Sequence, residues 1–260
     1  MIFLHPAIDP SIFSFGPFHL RWYSLAYIAG FILGLYFIKR INNKRTYKLT
    51  NKIIEDFFIW SIIGVIIGGR FGYILFYQPN IIFTNPIEIL FIWRGGMSFH
   101  GGLIGVIASI YFYSKIIKIN FFQLSDLIST VAPIGLFFGR IANFINVELY
   151  GRVTDFPFAV IYPTIDNYPR HPSQLYEAFL EGLVIFIILY YYNIKNLKKN
   201  NFGFASGLFL AFYGIFRILI EFVREPDTHL GLFYNFISMG QLLSIPLVIV
   251  GLYICIIKKY

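Results

Sequence analysis

The chain has 260 residues, of which 57% are hydrophobic and only 13% are charged, and its mean hydropathy is +0.68. Soluble domains carry about twice that fraction of charged residues, so the composition excludes an ordinary soluble protein. The net charge of +8 could suggest nucleic acid, but the lysines lie between apolar segments, so no nucleic-acid partner is expected. A single cysteine, Cys255, excludes an intramolecular disulfide and a cysteine-based zinc site.

Seven segments are apolar enough to cross a hydrocarbon core, which takes about 20 residues of helix. In chain order they are about 19–38, 53–77, 97–114, 122–141, 172–193, 203–223 and 237–257. The first segment is not expected to be a removable signal peptide, because it begins too far from the start of the chain and has no small-residue cleavage site. The pattern predicts an all-α polytopic membrane protein with seven transmembrane helices, in which residues 1–260 form one domain and residues 142–171 form a small extracytoplasmic (periplasmic) cap.

All eleven lysines fall into four short clusters, which follow the first, third, fifth and seventh segments. The clusters are Lys39, Lys44, Lys48 and Lys52; Lys115 and Lys118; Lys195, Lys198 and Lys199; and Lys258 and Lys259. Cytoplasmic loops carry an excess of basic residues. The clusters therefore predict an outer N-terminus and a cytoplasmic C-terminus.

Eight arginines instead lie within or beside apolar stretches: Arg21, Arg70, Arg94, Arg140, Arg152, Arg170, Arg217 and Arg224. In the predicted orientation, polar residues of all seven segments lie in the outer half of the membrane, and an arginine there must face an interior cavity or a partner. Arg217, Glu221 and Arg224 share one helical face by their spacing. Two interpretations are open: a salt-bridge ladder that fixes helix packing, or a phosphate site, because two arginines against one carboxylate, increased by Arg140, leave a positive surplus.

His100 is followed by Gly101 and Gly102, which permit close approach of backbone or ligand. Its imidazole is either a hydrogen-bonded packing group or a proton carrier near neutral pH. Glu177 and Glu181 share a face of the fifth segment and are expected to be structural partners of buried donors. The sequence contains no HExxH zinc motif and no G-x-S-x-G nucleophile elbow.

Several polar motifs follow one another in a specific order. They are His100-Gly-Gly-Leu-Ile-Gly105, Gly139-Arg-Ile-Ala-Asn-Phe-Ile-Asn146, Glu148-Leu-Tyr-Gly-Arg152, Arg170-His-Pro-Ser-Gln-Leu-Tyr-Glu177 and Arg217-Ile-Leu-Ile-Glu-Phe-Val-Arg-Glu-Pro-Asp227. Together they closely resemble the prolipoprotein diacylglyceryl transferase family. Matches at Arg21–Tyr23, Gly69–Tyr73 and Ser238–Gln241 extend the likeness over nearly the whole chain, and one departure is Val147, where the family often has glycine.

The resemblance implies a multi-pass enzyme of the bacterial inner membrane. It would transfer the sn-1,2-diacylglyceryl group of phosphatidylglycerol to the lipobox cysteine thiol of a preprolipoprotein, forming a thioether and releasing glycerol 1-phosphate. No cofactor or metal is expected, because the leaving phosphate is already part of the lipid. The partners expected are phosphatidylglycerol, the lipobox segment and the bilayer.

The same resemblance assigns roles to individual residues. Those expected to be catalytic are His100, Arg140 and Arg217. Those expected to bind substrate are Tyr23, Gly101, Gly102, Arg140, Asn143, Glu148, Arg217, Glu221 and Arg224. Either His100 or an arginine-assisted step could activate the thiol, and the sequence leaves this choice open.

Two other classes of protein are alternatives to the enzyme. A lipid or anion transporter could use the arginines as a binding site, but transporters frequently show broken helices and internal repeats, and neither is evident. A purely structural membrane subunit explains neither the surplus arginines nor their shared depth.

Overall fold

A computed structural model of the protein describes residues 2–6, 8–15, 18–46, 48–91, 96–197, 202–226, 232–233 and 237–258, with the backbone alone at 14, 15, 18, 19, 99, 100, 232 and 233. The chain groups into two compact units. The first comprises residues 1–46 and 128–260, and the second comprises residues 47–127. The expectation of a single domain over residues 1–260 stays a prediction.

Helices account for most of the described residues. They are α1 (Trp22–Lys44), α2 (Asn51–Tyr77), α3 (Ile81–Thr84), α4 (Phe99–Ile116), α5 (Phe121–Ile145), α6 (Ser173–Glu177), α7 (Ile185–Lys195), α8 (Phe204–Ile220) and α9 (Met239–Ile257), with a 3-10 turn at Pro86–Leu90 and a π-helical segment at Ala178–Val184. The π segment joins α6 to α7, so that Ser173–Lys195 is one continuous helix.

Five of these helices are long and apolar enough to cross a membrane: Trp22–Lys44, Asn51–Tyr77, Phe121–Ile145, Ser173–Lys195 and Met239–Ile257. Two shorter apolar helices, Gly101–Ile116 and Phe204–Ile220, coincide with the remaining predicted segments. The protein is therefore a mostly helical, multi-pass membrane protein. Its helices lie where the apolar segments predicted them, although several ends differ by a few residues.

Short strands, which the sequence did not predict, accompany the helices. They are β1 (Phe3–Leu4), β2 (Ser11–Phe15), β3 (Phe18–Arg21), β4 (Val160–Ile161), β5 (Pro169–Arg170), β6 (Leu232–Phe233) and β7 (Ile237–Ser238). β1, β4 and β5 form a three-stranded sheet in that order, with β1 parallel to β4 and β5 antiparallel to it. Strands β4 and β5 belong to the segment after α5, residues 146–172, here called the cap, whereas β1 comes from residues 3–4.

The cap starts four residues later than the sequence predicted. Residues 142–145 were assigned to it, but α5 continues to Ile145. The reason is that the amide of Asn146 still donates to the carbonyl of Ala142 at 2.9 Å, so the helical hydrogen-bond pattern persists to the end of this stretch.

Helices α2 and α4 of the second unit pack backbone against backbone through glycines. A Cβ built on Gly105 would lie 2.0 Å from the carbonyl oxygen of Gly64, and one on Gly101 would lie 2.2 Å from that of Gly68. Small residues allow this close approach, which is common between membrane helices. Gly101, which was predicted to contact substrate, therefore has a packing function in the structure.

Replacing Gly105 with alanine is expected to lower the free energy of unfolding by about 1–3 kcal/mol, because the new methyl group must push backbone away from backbone. The matched control is Gly102→Ala on the same helix, where a Cβ would meet Val65 atoms at 3.7 and 3.8 Å, an ordinary contact. Thermal midpoints of the purified variants in one detergent provide the measurement. Equal midpoints for the two variants would show that the α2–α4 contact does not have this geometry.

Candidate active site

Six charged side chains of the first unit form one buried network. They come from four parts of the fold: α5, α6 with its π segment, the end of α8, and the turn after α8. The members are Arg140, Glu177, Glu181, Arg217, Glu221 and Arg224. Charges this deep in a membrane protein are stable only when they are paired, so the network is built as a set of ion pairs.

Glu177 lies at the centre of the network and is fully buried. One of its carboxylate oxygens is 2.9 Å from Nε of Arg140. The other oxygen accepts a hydrogen bond from Nη1 of Arg217 and lies 3.8 Å from Nη1 of Arg224. One carboxylate thus joins guanidinium groups from α5, α8 and the turn that follows α8.

Glu221 holds the other side of two of these arginines. Its carboxylate is 2.5 Å from Nη2 of Arg217 and accepts a hydrogen bond from Nη1 of Arg224 at 3.2 Å. The helical spacing that placed the three residues on one face is confirmed. A Cβ on Gly240, in the first turn of α9, would lie 2.4 Å from Glu221, so the absence of a side chain there lets a helix N-terminus approach the carboxylate.

A second group of polar side chains adjoins Arg140. Nη1 of Arg140 donates to the side-chain oxygen of Asn143 at 3.4 Å, and the amide nitrogen of Asn143 donates to Tyr23 and, at 3.1 Å, to Glu148. The Tyr23 hydroxyl donates to the same Glu148 oxygen at 2.5 Å. The structure therefore brings together four residues that the sequence assigned to the site, from α1, α5 and the start of the cap.

Two side chains at the start of α6 donate hydrogen bonds to the backbone of the turn that contains Glu148. The side-chain amide of Gln174 donates to the carbonyl of Glu148 at 2.6 Å, and the hydroxyl of Ser173 donates to the carbonyl of Leu149 at 2.8 Å. Val147 and Leu149, on either side of Glu148, have φ values of +58° and +56°. Because a β-branched residue is strained in the left-handed region, the Val147 departure has a structural consequence.

Replacing Val147 with glycine is expected to raise the free energy of unfolding by about 1 kcal/mol, since relief of strain exceeds the extra entropy of glycine in the unfolded chain. Val147→Ala is the matched control, because alanine keeps the Cβ that causes the strain. Chemical unfolding in detergent compares the two with the unchanged chain. A glycine variant no more stable than the alanine variant would contradict the strain.

Two of the eight arginines, Arg152 and Arg170, lie within residues 142–171, the segment that the sequence assigned to the cap. Nε of Arg152 donates to the backbone carbonyl of Arg224 at 3.0 Å. Arg170 pairs with Asp166 at 2.6 Å and with Glu225 at 3.3 Å, and its guanidinium lies over the Tyr150 ring. Hydrogen bonding from Arg170 lowers the pKa of Asp166.

Arg70 and His100 belong to the second unit. Arg70 donates to the carbonyls of Glu88, Ile89 and Gly96, which holds the 3-10 turn Pro86–Leu90 and Gly96 against α2. The side chain of His100 lies outside the described residues, and so does Arg94. The assignment of His100 to the site stays a prediction.

The structure corrects the predicted positive surplus. The sequence paired Arg217 and Arg224 with Glu221 alone, and it expected Glu177 and Glu181 to be partners of buried donors without indicating which donors. Both face the arginines, so the three guanidinium groups meet three carboxylates, and Glu148 adds a fourth nearby. Because a buried arginine needs an anionic partner, the sequence indicated that further carboxylates must face these arginines. It did not show which helices pack against one another, and so it could not identify those carboxylates.

Apolar helices that keep paired arginines and glutamates in their interior define a multi-pass membrane protein with a buried polar site. The order of its motifs and its similarity to known proteins assign the chain to one family. The chain belongs to the prolipoprotein diacylglyceryl transferase family, whose family model matches residues 10–257.

Similar proteins of Rickettsia cover almost the same length. The chain is 51% identical over 249 residues to a protein of Rickettsia felis, a match that covers 96% of both chains. It is 53% identical over 251 residues to a protein of Rickettsia typhi, again over 96% of both, and equally identical to one of Rickettsia bellii, over 96% of this chain and 95% of the relative. All three relatives are named phosphatidylglycerol–prolipoprotein diacylglyceryl transferase.

Proposed function

We propose that this protein is a phosphatidylglycerol–prolipoprotein diacylglyceryl transferase. It moves the sn-1,2-diacylglyceryl group of phosphatidylglycerol to the lipobox cysteine of a preprolipoprotein, the first step of bacterial lipoprotein maturation. The observation that carries the proposal is the match to the family over residues 10–257, together with relatives of that name at 51–53% identity.

The reaction makes one bond and breaks one. The thiol loses its proton, the sulfur attacks the glyceryl carbon to form a thioether, and the C–O bond to phosphate breaks with its electron pair on oxygen. Glycerol 1-phosphate leaves. Because a free thiol has a pKa of about 8.5, the site must favour the thiolate, and it must also stabilise the charge that develops on the leaving phosphate.

The network suits the second of these demands. Arg140 and Arg217 are fixed cations that share Glu177, and each retains a partly exposed side chain, 16% and 12% of its surface. We assign both to the phosphate, which a guanidinium can bind through two N–H groups. Glu221 and Arg224 hold Arg217 in place, and Tyr23, Asn143 and Glu148 orient the lipid or Arg140.

Two routes could remove the thiol proton. We assign it to His100, either directly or through a neighbouring group, since imidazole accepts protons near neutral pH. An arginine-assisted step is the alternative. A comparison of pH–rate profiles between the unchanged chain and His100→Gln decides, because an unchanged rate and profile would remove the histidine from this role. Gly101 and Gly102 are assigned to close approach of the substrate beside it.

We further propose seven membrane spans, an outer N-terminus and a cytoplasmic C-terminus in the inner membrane. Helix α4, with 18 residues, is about 27 Å long and nearly matches a hydrocarbon core of about 30 Å. The lysines follow alternate spans, as cytoplasmic residues do. Single cysteines placed in the 78–96 and 117–120 connections should differ in labelling by an impermeant reagent added outside, and equal labelling would refute the orientation.

The decisive experiment is a transfer assay. Purified protein, phosphatidylglycerol and a lipobox peptide should give a thioether-linked diacylglyceryl peptide without ATP or added metal. A peptide with serine in place of the lipobox cysteine is the matched control and should remain unmodified. Absence of product from verified folded protein would refute the function. Flux of unmodified lipid across vesicles containing the protein would instead support the transporter.

A further inference from the structure

One carboxylate of the network is buried but lacks the hydrogen bonds and close guanidinium contacts that stabilise the others. Glu181 lies in the π-helical segment and is fully buried. Its nearest guanidinium nitrogens are Nη2 of Arg140 at 3.6 Å and Nη1 of Arg217 at 4.0 Å, which are too far for hydrogen bonds. Neither of its oxygens makes a hydrogen bond to any residue that the structure describes.

The other carboxylates have stronger reasons to stay ionised. Glu177 and Glu221 have guanidinium nitrogens within 2.9 Å. Glu148 is exposed and accepts hydrogen bonds from Tyr23 and Asn143. Since arginine keeps its proton in proteins, Glu181 is the member of the network whose charge is least stabilised and most easily changed.

The charge balance of the site gives this carboxyl a function. Among the described residues, the ion pairs join three guanidinium groups to three carboxylates, Glu177, Glu181 and Glu221, so their charges cancel when all are ionised. A phosphodiester then adds an uncompensated negative charge. In a poorly solvated site that addition is unfavourable unless a carboxylate is neutralised.

We propose that Glu181 carries the exchangeable proton of this site: it is protonated when an anionic phospholipid binds, and this frees Arg140 and Arg217 for the phosphate. The inference rests on the proposed function, because it concerns the same lipid. Glu181 is a positioning residue, since its full burial keeps it from touching the lipid. The titratable or charged groups that face it are Arg140 of α5, Arg217 and Tyr213 of α8, and Glu177 of its own helix.

The experiment measures protons taken up as lipid binds. Purified protein in a non-ionic detergent is titrated with short-chain phosphatidylglycerol in a weakly buffered solution that contains a pH indicator. A phosphodiester does not titrate near neutral pH, so any uptake belongs to the protein. The unchanged chain should take up as much as one proton per lipid, and its Kd should rise by up to about tenfold per pH unit on the alkaline side, as linkage to one proton requires. Phosphatidylcholine, which is zwitterionic, should cause no uptake.

Glu181→Gln imitates the protonated carboxyl. It should bind phosphatidylglycerol without the uptake, with a nearly pH-independent Kd, and at alkaline pH more tightly than the unchanged chain does. A merely structural role for Glu181 predicts weaker binding at every pH. Glu225→Gln, which replaces an exposed carboxylate in the segment after α8, is the matched control and should keep the full proton uptake.

Three results would overturn the inference: no uptake by the unchanged chain, the same uptake in Glu181→Gln, or uptake that is lost only in His100→Gln. If Glu181→Gln does not fold, infrared difference spectra of the unchanged chain decide, since lipid binding should produce the band of a protonated carboxyl group and its absence would refute the proposal. The transfer assay on the same preparation distinguishes failure of this inference from failure of the proposed function. Transfer without proton uptake refutes only the inference, whereas no transfer refutes the proposed function.

Discussion

Replacing Arg140 with lysine is expected to lower the rate of diacylglyceryl transfer by about 100- to 1,000-fold, the effect of removing one preorganised donor from a charge-stabilising site. Arg140 uses three nitrogens at once: Nε faces Glu177, Nη1 donates to Asn143, and Nη2 faces Glu181. A lysine ammonium is a single point charge and cannot keep three separate contacts while it also binds phosphate.

The rate loss is measured in the transfer assay under single-turnover conditions, so that product release does not mask it. Arg40→Lys is the matched control: Arg40 lies on α1, is exposed and contacts Tyr36, so its replacement should change the rate by less than about twofold. Thermal midpoints ensure that the Arg140 variant is folded. If Arg140→Lys keeps near-normal turnover, the fork of the guanidinium is not needed, and Arg217 becomes the principal phosphate ligand.

The helices could be predicted from the sequence because the thickness of a bilayer fixes how long an apolar run must be. The short strands could not be, since a two-residue strand such as β4 has no periodicity of its own. The same limit applies to the conformation of the cap, because it depends on contacts between residues that are distant in sequence. One example is the hydrogen bond from the side-chain amide of Gln174 to the carbonyl of Glu148. The local hydrophobic pattern therefore predicted the membrane-spanning helices, whereas the short strands and the cap are determined by tertiary contacts.

The site shows the same division. The i, i+4, i+7 spacing of Arg217, Glu221 and Arg224 was enough to place them on one face, and they do share ion pairs. Nothing in the spacing of Glu177 indicated that it would meet the same arginines, because helix adjacency is not encoded in any one segment. The sequence therefore predicted the cations of the site and misjudged its net charge.

Replacing Glu177 with glutamine is expected to lower the free energy of unfolding by about 3–5 kcal/mol, which is the usual effect of removing one partner from a buried ion pair. Glu177 is fully buried and contacts Arg140, Arg217 and Arg224, so its loss leaves cations uncompensated inside the protein. The cost arises mainly from those stranded charges rather than from the bonds themselves. Transfer activity should fall with it, since both proposed phosphate ligands lose a common support.

Unfolding in mixed micelles, followed by the fluorescence of the tryptophans, measures the change, with Glu225→Gln as the matched control. Glu225 also pairs with an arginine, Arg170 at 3.3 Å, but its side chain is 45% exposed. An exposed pair contributes about 1 kcal/mol or less, so the control should barely differ from the unchanged chain. Both variants remove one carboxylate charge, but Glu177 is buried among three arginines and Glu225 is an exposed partner of one. If the two variants unfold alike, the centre of the network is hydrated, and its arginines would meet the phosphate as solvated ions rather than as a preorganised pair.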